Sequence, residues 1–344
     1  MGIINFKKKI SILSSGTVAG DMERSGALGD IFDVSDGSDR FGAETWEKSE
    51  SEMQRIALSA AIKKSGVKQE DIDALYAGDL LNQCIGSAFG LSPFGIPYFG
   101  IYGACSTLGE GLILCSVMLD SGHANLCAGV CSSHNCSAER QFRFPIEYGG
   151  QRPPTAQWTV TGAAAHILAP DRSGKALIRA ALVGIAIDGG IADANNMGAA
   201  MAPAAADTVL RFFEESRESP SDFDMILTGD LGCEGSSIFC ELTKERGLDV
   251  SKIHRDCGVL IYDRERQDVH SGGSGCGCSG IVFGSYILPM LEKKELRRIL
   301  LVPTGALMNP SSVQQGQSIL GIAHLLKIEC DTNTKEDDKN ANRT

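Results

Sequence analysis

Asp71-Ile-Asp-Ala-Leu-Tyr-Ala-Gly-Asp-Leu80 and Asp222-Phe-Asp-Met-Ile-Leu-Thr-Gly-Asp-Leu231 are two copies of one pattern. The spaced aspartates and the closing Gly-Asp-Leu coincide, and between them runs an apolar stretch of strand character. Ahead of the first copy, residues 45–65 place Met53, Ile56, Ala57, Ala60 and Ala61 on one helical face, and Gly66 stops the helix. Ahead of the second copy, residues 204–216 read as another amphipathic helix, ended by Pro220. Each copy is therefore predicted as helix, Asp-rich turn and strand.

Outward from these copies the parallel continues. Gly103-Ala-Cys-Ser-Thr-Leu-Gly-Glu-Gly111 and Gly272-Gly-Ser-Gly-Cys-Gly-Cys-Ser-Gly280 are glycine-rich turns, each opening an apolar helix that leads into a strand at 125–131 or 298–304. The second half carries an insertion in which Val259 to Tyr262 and Gln267 to His270 are expected to form a hairpin. Residues 155–187, rich in β-branched and small side chains, read as strands closing the first half. The expected organisation is a first half at 1–187, a second half at 188–328 and a polar, disordered tail at 329–344. Alternating strands and helices in two related halves define an α/β protein, with helices covering the sheet faces and a helical layer shared between the halves.

The chain has 344 residues, 43% apolar and 22% charged, which is ample for a core. A formal charge of −11 and the absence of a basic stripe exclude a nucleic-acid partner. Lys7, Lys8 and Lys9 form the one basic run and read as a solvated terminus. No secretory signal is expected from residues 1–20, and no apolar run approaches the roughly 20 residues of a membrane span. Twelve cysteines in such a chain are expected as free thiols. Cys127, Cys131 and Cys136 do not read as a metal site, because the first two lie within a strand-like run, whereas zinc ligands pair on turns.

Cys105 sits where a strand meets a helix, under unpaired backbone N–H groups and a positive dipole end. That position suits an activated thiol or a bound anion, and equally a small residue in a tight turn. Gly275-Cys-Gly-Cys-Ser-Gly280 has the dinucleotide-loop spacing, but the following strand ends in Pro-Thr-Gly and not in an acid, so a nucleotide site is rejected. Of six histidines, His134 follows a strand end and His324 stands alone in a late apolar run; the others read as structural or surface residues.

The two-half plan with a cysteine at the first turn resembles the thiolase superfamily. Longer strings resemble one family within it, stage V sporulation protein AD: Leu75-Tyr-Ala-Gly-Asp-Leu-Leu-Asn-Gln83, Gly103-Ala-Cys-Ser-Thr107, Ser132-Ser-His-Asn135, Ala138-Glu-Arg-Gln-Phe-Arg143, Glu147-Tyr-Gly-Gly-Gln151, Ala199-Ala-Met-Ala-Pro-Ala-Ala-Ala-Asp-Thr208, Ile226-Leu-Thr-Gly-Asp-Leu231 and Ile322-Ala-His324. The resemblance implies a thiolase-like αβαβα layered fold of two pseudo-symmetric halves. It implies binding of dipicolinic acid and delivery of that ligand into the developing spore, at the forespore inner membrane, with small membrane proteins of the same system. It also implies pairing into a homodimer across an edge strand. No cofactor is expected, though calcium can accompany the ligand. Aligned by the repeat, the histidine and asparagine of condensing relatives fall at Gly229 and Gly273, which can neither polarise a carbonyl nor take a proton. A non-catalytic ligand-binding role follows. The alternatives are an acyltransferase of the β-ketoacyl synthase III or thiolase type that uses Cys105 with His134 or His324 as base, and a scaffold that only docks membrane partners. Pseudo-symmetry brings the two glycine-rich turns together, so Cys105, Ser274, Asp230, His324 and His134 are the candidate ligand-binding residues, with Arg140, Arg143 and Arg152 next in line.

Overall fold

The computed structural model describes residues 1–142 and 152–331. Arg143, the string at 147–151 and the tail beyond Asp331 lie outside the described residues. The long first strand, β1 (Ile4–Ala19), sets the architecture. It is followed by α1 (Trp46–Ser65), β2 (Ala74–Gly78), α2 (Ile85–Leu91), β3 (Tyr98–Gly100), α3 (Thr107–Asp120), β4 (Cys127–Ser133), α4 (Asn135–Phe142), β5 (Gly162–Pro170) and β6 (Ala176–Leu182). The second half continues with α5 (Met197–Ser216), β7 (Met225–Thr228), α6 (Gly232–Glu245), β8 (His254–Asp256), α7 (Cys257–Ile261), α8 (Cys276–Val282), β9 (Arg298–Val302), β10 (Thr304–Leu307), α9 (Pro310–Gln314), β11 (Leu320–Ala323) and β12 (Leu325–Cys330).

One sheet runs through both halves in the order β8-β7-β9-β12-β6-β1-β5-β4-β2-β3. The order is a mirror about the antiparallel seam between β6 and β1. On one side β2 pairs in parallel with β3 and β4, and β5 returns antiparallel. On the other, β7 pairs in parallel with β8 and β9, and β12 returns antiparallel. The two Asp-led copies are thus β2 and β7, the equivalent strands of each half. The helices that open at the glycine-rich turns, α3 and α8, pack on the sheet and on each other. Every residue of α8 is buried, as a layer enclosed by sheet requires.

Local chemistry sets the element ends. Thr45 caps α1 by accepting from Lys48 N–H, and Gly66 closes it in the left-handed conformation at φ 70°. Met53, Ala57, Leu58 and Ala61 of α1 are fully buried. Helix α5 starts earlier than its sequence pattern suggests. Asn196 caps it, and the helix runs through Pro203 to Ser216, the expected last residue. Gly198 of α5 meets Gly235 of α6 so closely that a Cβ on either would strike the other's backbone. This packing holds a first turn that propensity alone does not.

Two expectations are corrected. The inserted segment is no hairpin: Cys257–Ile261 is helical, capped by the Asp256 side chain, which accepts from Val259 N–H, and residues 262–271 form turns. Lys7, Lys8 and Lys9 are no solvated terminus but part of β1. The Lys8 ammonium bonds Leu119 O, and Lys9 pairs with Asp331. All twelve cysteines are free.

Buried carboxyls hold the elements that carry the site. Glu50 of α1 accepts from Ser132 (3.0 Å) and Ser137 (2.7 Å), tying α1 to β4 and α4. Burial, followed by the nearby Asp79 charge, pushes Glu50 up to about 8. Burial pushes Glu23 and Asp256 up to about 7. Native protein therefore keeps protons that the unfolded chain releases near pH 3.8 for Asp256 and near pH 4.5 for Glu23 and Glu50. That stabilisation is complete below the unfolded value and disappears as pH rises through 7 and 8. Melting temperature is expected to fall by several degrees between about pH 5 and pH 8.5, and Glu50→Gln is expected to flatten the fall. An unchanged pH profile in the variant would contradict this assignment.

Candidate ligand site around Cys105

The turn before α3 is wound tightly. Ser106 Oγ donates to Gly103 O (2.7 Å), and Thr107 Oγ1 donates to Ala104 O (2.7 Å). Ala104 takes φ 50°, a left-handed conformation strained for a residue with a Cβ. The strain presents Cys105 toward the opposite half. There Gly275, at φ 106°, opens α8 directly after Ser274.

The two turns do meet. Cys105 Sγ lies 3.8 Å from Ser274 Oγ. Asp230, just past β7, holds the assembly: its Oδ2 accepts from Ser274 Oγ (3.1 Å) and Gly275 N–H (2.8 Å), and its Oδ1 accepts from Thr304 Oγ1 (2.8 Å). The Asp230 carboxylate lies close enough to the Cys105 thiol for its charge to act on it. Burial first, and then the Asp230 charge, raise the Cys105 thiol well above its usual range. Burial raises Asp230 as well. The arrangement favours a protonated thiol, the opposite of what a nucleophilic cysteine requires.

The structure keeps the correspondence of the repeat, in which Cys105 meets Ser274. Gly229 faces Pro303 and Thr304, and Gly273 faces Val160, Ile261 and Cys278. The side chains that reach the thiol belong to the next residues, Asp230 and Ser274.

Neither candidate histidine lines the Cys105 cavity among the described residues. His134 is fully used by the protein: Nε2 donates to Asp39 O (2.9 Å), Nδ1 accepts from Cys136 N–H (3.2 Å), and the ring leans on Trp46. Burial lowers its pKa, so the ring is held neutral. His324 stands between β11 and β12, its Nδ1 accepting from Gly184 N–H (3.2 Å). Its Nε2 is buried without a hydrogen-bond partner, 3.7 Å from Glu110 Oε1. The reserve arginines are engaged elsewhere, Arg140 with Glu47 and Arg152 with Asp268 over the Trp158 ring.

The cavity at Cys105 is about 40 Å³, walled by Leu80, Tyr102, Phe142, Met197, Met308 and Glu139 among others. That is room for about one water; a benzene-sized guest needs about 150 Å³. A wider groove of about 460 Å³ adjoins it, sharing Tyr102, Phe142 and Met308. Thr304, Tyr102, Phe142 and Met308 are site residues that sequence reasoning missed. Thr304 carried one signal, its place just after a strand equivalent to β4; the others carried none. Among the described residues no group of side chains fits a metal ion.

A sheet doubled about a seam, with a cysteine turn of one half against a glycine turn of the other, defines a thiolase-like fold. Solved structures of that class are similar over nearly the whole chain. The acetyl-CoA acetyltransferase of Syntrophomonas wolfei matches with a TM-score of 0.63 at 10% identity, covering 95% of this chain and 100% of that one. The cerulenin-bound OleA of Xanthomonas campestris matches with 0.61 at 13% identity, covering 94% and 97%. At such identity they show the fold alone. The stage V sporulation protein AD family model matches residues 2–329. The stage V sporulation protein AD of Bacillus subtilis (strain 168) is 43% identical over 324 residues, 94% of this chain and 95% of that protein. The chain belongs to the stage V sporulation protein AD family, a group of sporulation proteins.

Proposed function

We propose that this chain is a non-condensing ligand-binding protein of sporulation. Its ligand is dipicolinic acid (pyridine-2,6-dicarboxylate), which it hands toward the developing spore beside small membrane proteins at the forespore inner membrane. One observation carries the non-catalytic reading: Asp230 and Ser274, not an imidazole and an amide, face Cys105. A carboxylate there opposes thiolate formation and would repel the oxyanion of a tetrahedral intermediate. Among the described residues no helix is long and apolar enough to cross a membrane. In this reading membrane attachment runs through partners; no resident cofactor is needed, and calcium can travel with the ligand's carboxylates.

Calorimetric titration with dipicolinate, run beside an acetyl-CoA turnover assay, tests this. Saturable dipicolinate binding without CoA release is the expected result. Multiple-turnover CoA release that disappears in Cys105→Ala would instead establish the acyltransferase reading. Binding of neither compound would favour a docking scaffold.

The homodimer is proposed on separate grounds. Strand β3 is an exposed sheet edge, with Phe99 53% exposed, and Phe89 of the adjacent α2 is 70% exposed. An apolar edge of this kind invites pairing with a second copy. Sedimentation is expected to give a dimer that Phe99→Lys converts to monomer; a monomeric parent would refute it.

A further inference from the structure

Away from the Cys105 site, a second thiol faces a base. Of the twelve cysteines only Cys136, Cys233 and Cys240 are even partly exposed; the others are buried. Cys240 lies on α6, and its Sγ is 3.6 Å from Nδ1 of His254, on the sheet-edge strand β8. Among the described residues no imidazole acts on the sulfur of Cys136 or Cys233.

The His254 ring is aimed by buried structure. Its Nε2 meets Thr228 Oγ1 (2.9 Å), and the Thr228 hydroxyl donates to Asp256 Oδ2 (2.6 Å). Burial pushes Asp256 up to about 7, so at pH 8 it is a carboxylate and only accepts. A hydroxyl has one proton to give, so Thr228 Oγ1 accepts from Nε2–H. That fixes the tautomer: Nδ1 carries the lone pair, and the Cys240 thiol donates to it. Asp256 is itself held by the N–H groups of Leu231, Gly232 and Val259, and the ring packs 4.8 Å from Phe239. Cys240, His254, Thr228 and Asp256 thus form a continuous proton relay from a partly exposed sulfur to a buried acid. A nucleophile, a base within reach and a third group that orients the base are what activation requires, and Cys105 has no such base. Burial, then the Asp249 charge, raise the Cys240 thiol, and burial lowers His254 to about 4. The resting pair is therefore neutral, and the proton crosses as the sulfur attacks.

We propose that Cys240 is a thiol-modification site that takes low-molecular-weight disulfides, with His254 as its general base. Cys240 Sγ attacks one sulfur of the disulfide, and a new S–S bond forms as the old one breaks. The electron pair of the broken bond leaves on the second sulfur. The thiol proton passes to His254 Nδ1 and from there to the leaving thiolate. Cys240 ends oxidised, as a mixed disulfide, and the departing sulfur ends reduced, as a small thiol. Cys233, the other cysteine of α6, cannot resolve the adduct. It stands seven residues away, about 10.5 Å along the helix axis, beyond the reach of about 7 Å that a disulfide spans. Cys257, beside Asp256, is fully buried. The adduct therefore stays in place: this is a site of reversible capping, not of turnover.

The test is incubation of the full chain with glutathione disulfide at pH 8, mapped over time by peptide mass spectrometry. One glutathione is expected per chain, at Cys240, added at least about tenfold faster than at Cys136 or Cys233, and stable until dithiothreitol is supplied. His254→Gln puts an amide N–H near the Nε2 position, where Thr228 still accepts it, and removes the base that faces the sulfur. With folding checked by melting temperature, this variant is expected to slow Cys240 about tenfold or more and to leave Cys233 unchanged. Equal rates at Cys240 and Cys233 in the parent overturn the proposal without recourse to any variant. An unchanged Cys240 rate in folded His254→Gln overturns it too, since access alone would then set the rate. An intrachain disulfide in place of the glutathione adduct overturns the capping role.

Discussion

Asp230→Asn is expected to make Cys105 react with iodoacetamide about tenfold faster or more in the folded protein, followed by peptide mapping at pH 8. Asp230 is the charged neighbour that raises the thiol beyond the effect of burial. The thiolate is the reactive species, so a fall of one unit in the thiol's pKa multiplies its small thiolate fraction about tenfold. Asparagine is close in shape and can still accept from Gly275 N–H through its Oδ1, so the turn should survive. Asp230→Ala is the instructive contrast. It strips partners from Ser274 Oγ, Thr304 Oγ1 and Gly275 N–H, all buried, and should cost about 2–4 kcal/mol of stability. An unchanged alkylation rate in Asp230→Asn would mean that access rather than charge governs the thiol, and the physical case against a nucleophilic Cys105 would lose its main support.

The second large effect is expected at Gly305. This residue of β10 lies so close to the Cys105 turn that a Cβ would come within 2.4 Å of Gly103 O and 3.0 Å of Ser106 N. Both are main-chain atoms, so no rotamer change relieves the contact. Gly305→Ala should cost about 1–3 kcal/mol through overpacking, seen as a fall of a few degrees in melting temperature. Gly305→Val should cost more and displace the Cys105 turn from Ser274. Gly129→Ala is the control: it too lies in a strand, but its Cβ would meet nothing closer than 3.5 Å. Equal melting temperatures for Gly305→Ala and Gly129→Ala would show that the two turns have slack between them.

Much of the site was legible in the chain. The glycine-rich turns announced themselves as helix starts, and their equivalence under the repeat pointed to Cys105 meeting Ser274, which the 3.8 Å approach realises. Asp230 belonged to the repeat itself. What the repeat could not resolve was direction. A one-residue offset at a strand end turns a side chain to the other face, so Gly229 and Asp230 are chemically opposite predictions from neighbouring positions. Among the described residues neither His134 nor His324 lines the Cys105 cavity, a placement that a lone polar residue in an apolar run does not reveal. His134 has both nitrogens satisfied, by Asp39 from a distant loop and by its near neighbour Cys136.

The sequence by itself determined the α/β class, the two related halves, the strands β2 and β7 and the thiol turn, because each is written in local periodicity, caps and glycines. Only the tertiary structure decided that the halves share one sheet across the β1–β6 seam, that Asp230 and Ser274 rather than their neighbouring glycines confront Cys105, and that a wider groove opens beside the small cavity at the thiol. Those features depend on segments far apart in the chain approaching within a few ångströms. Close packing and buried hydrogen bonding fix such approaches, and no local pattern of residues records them.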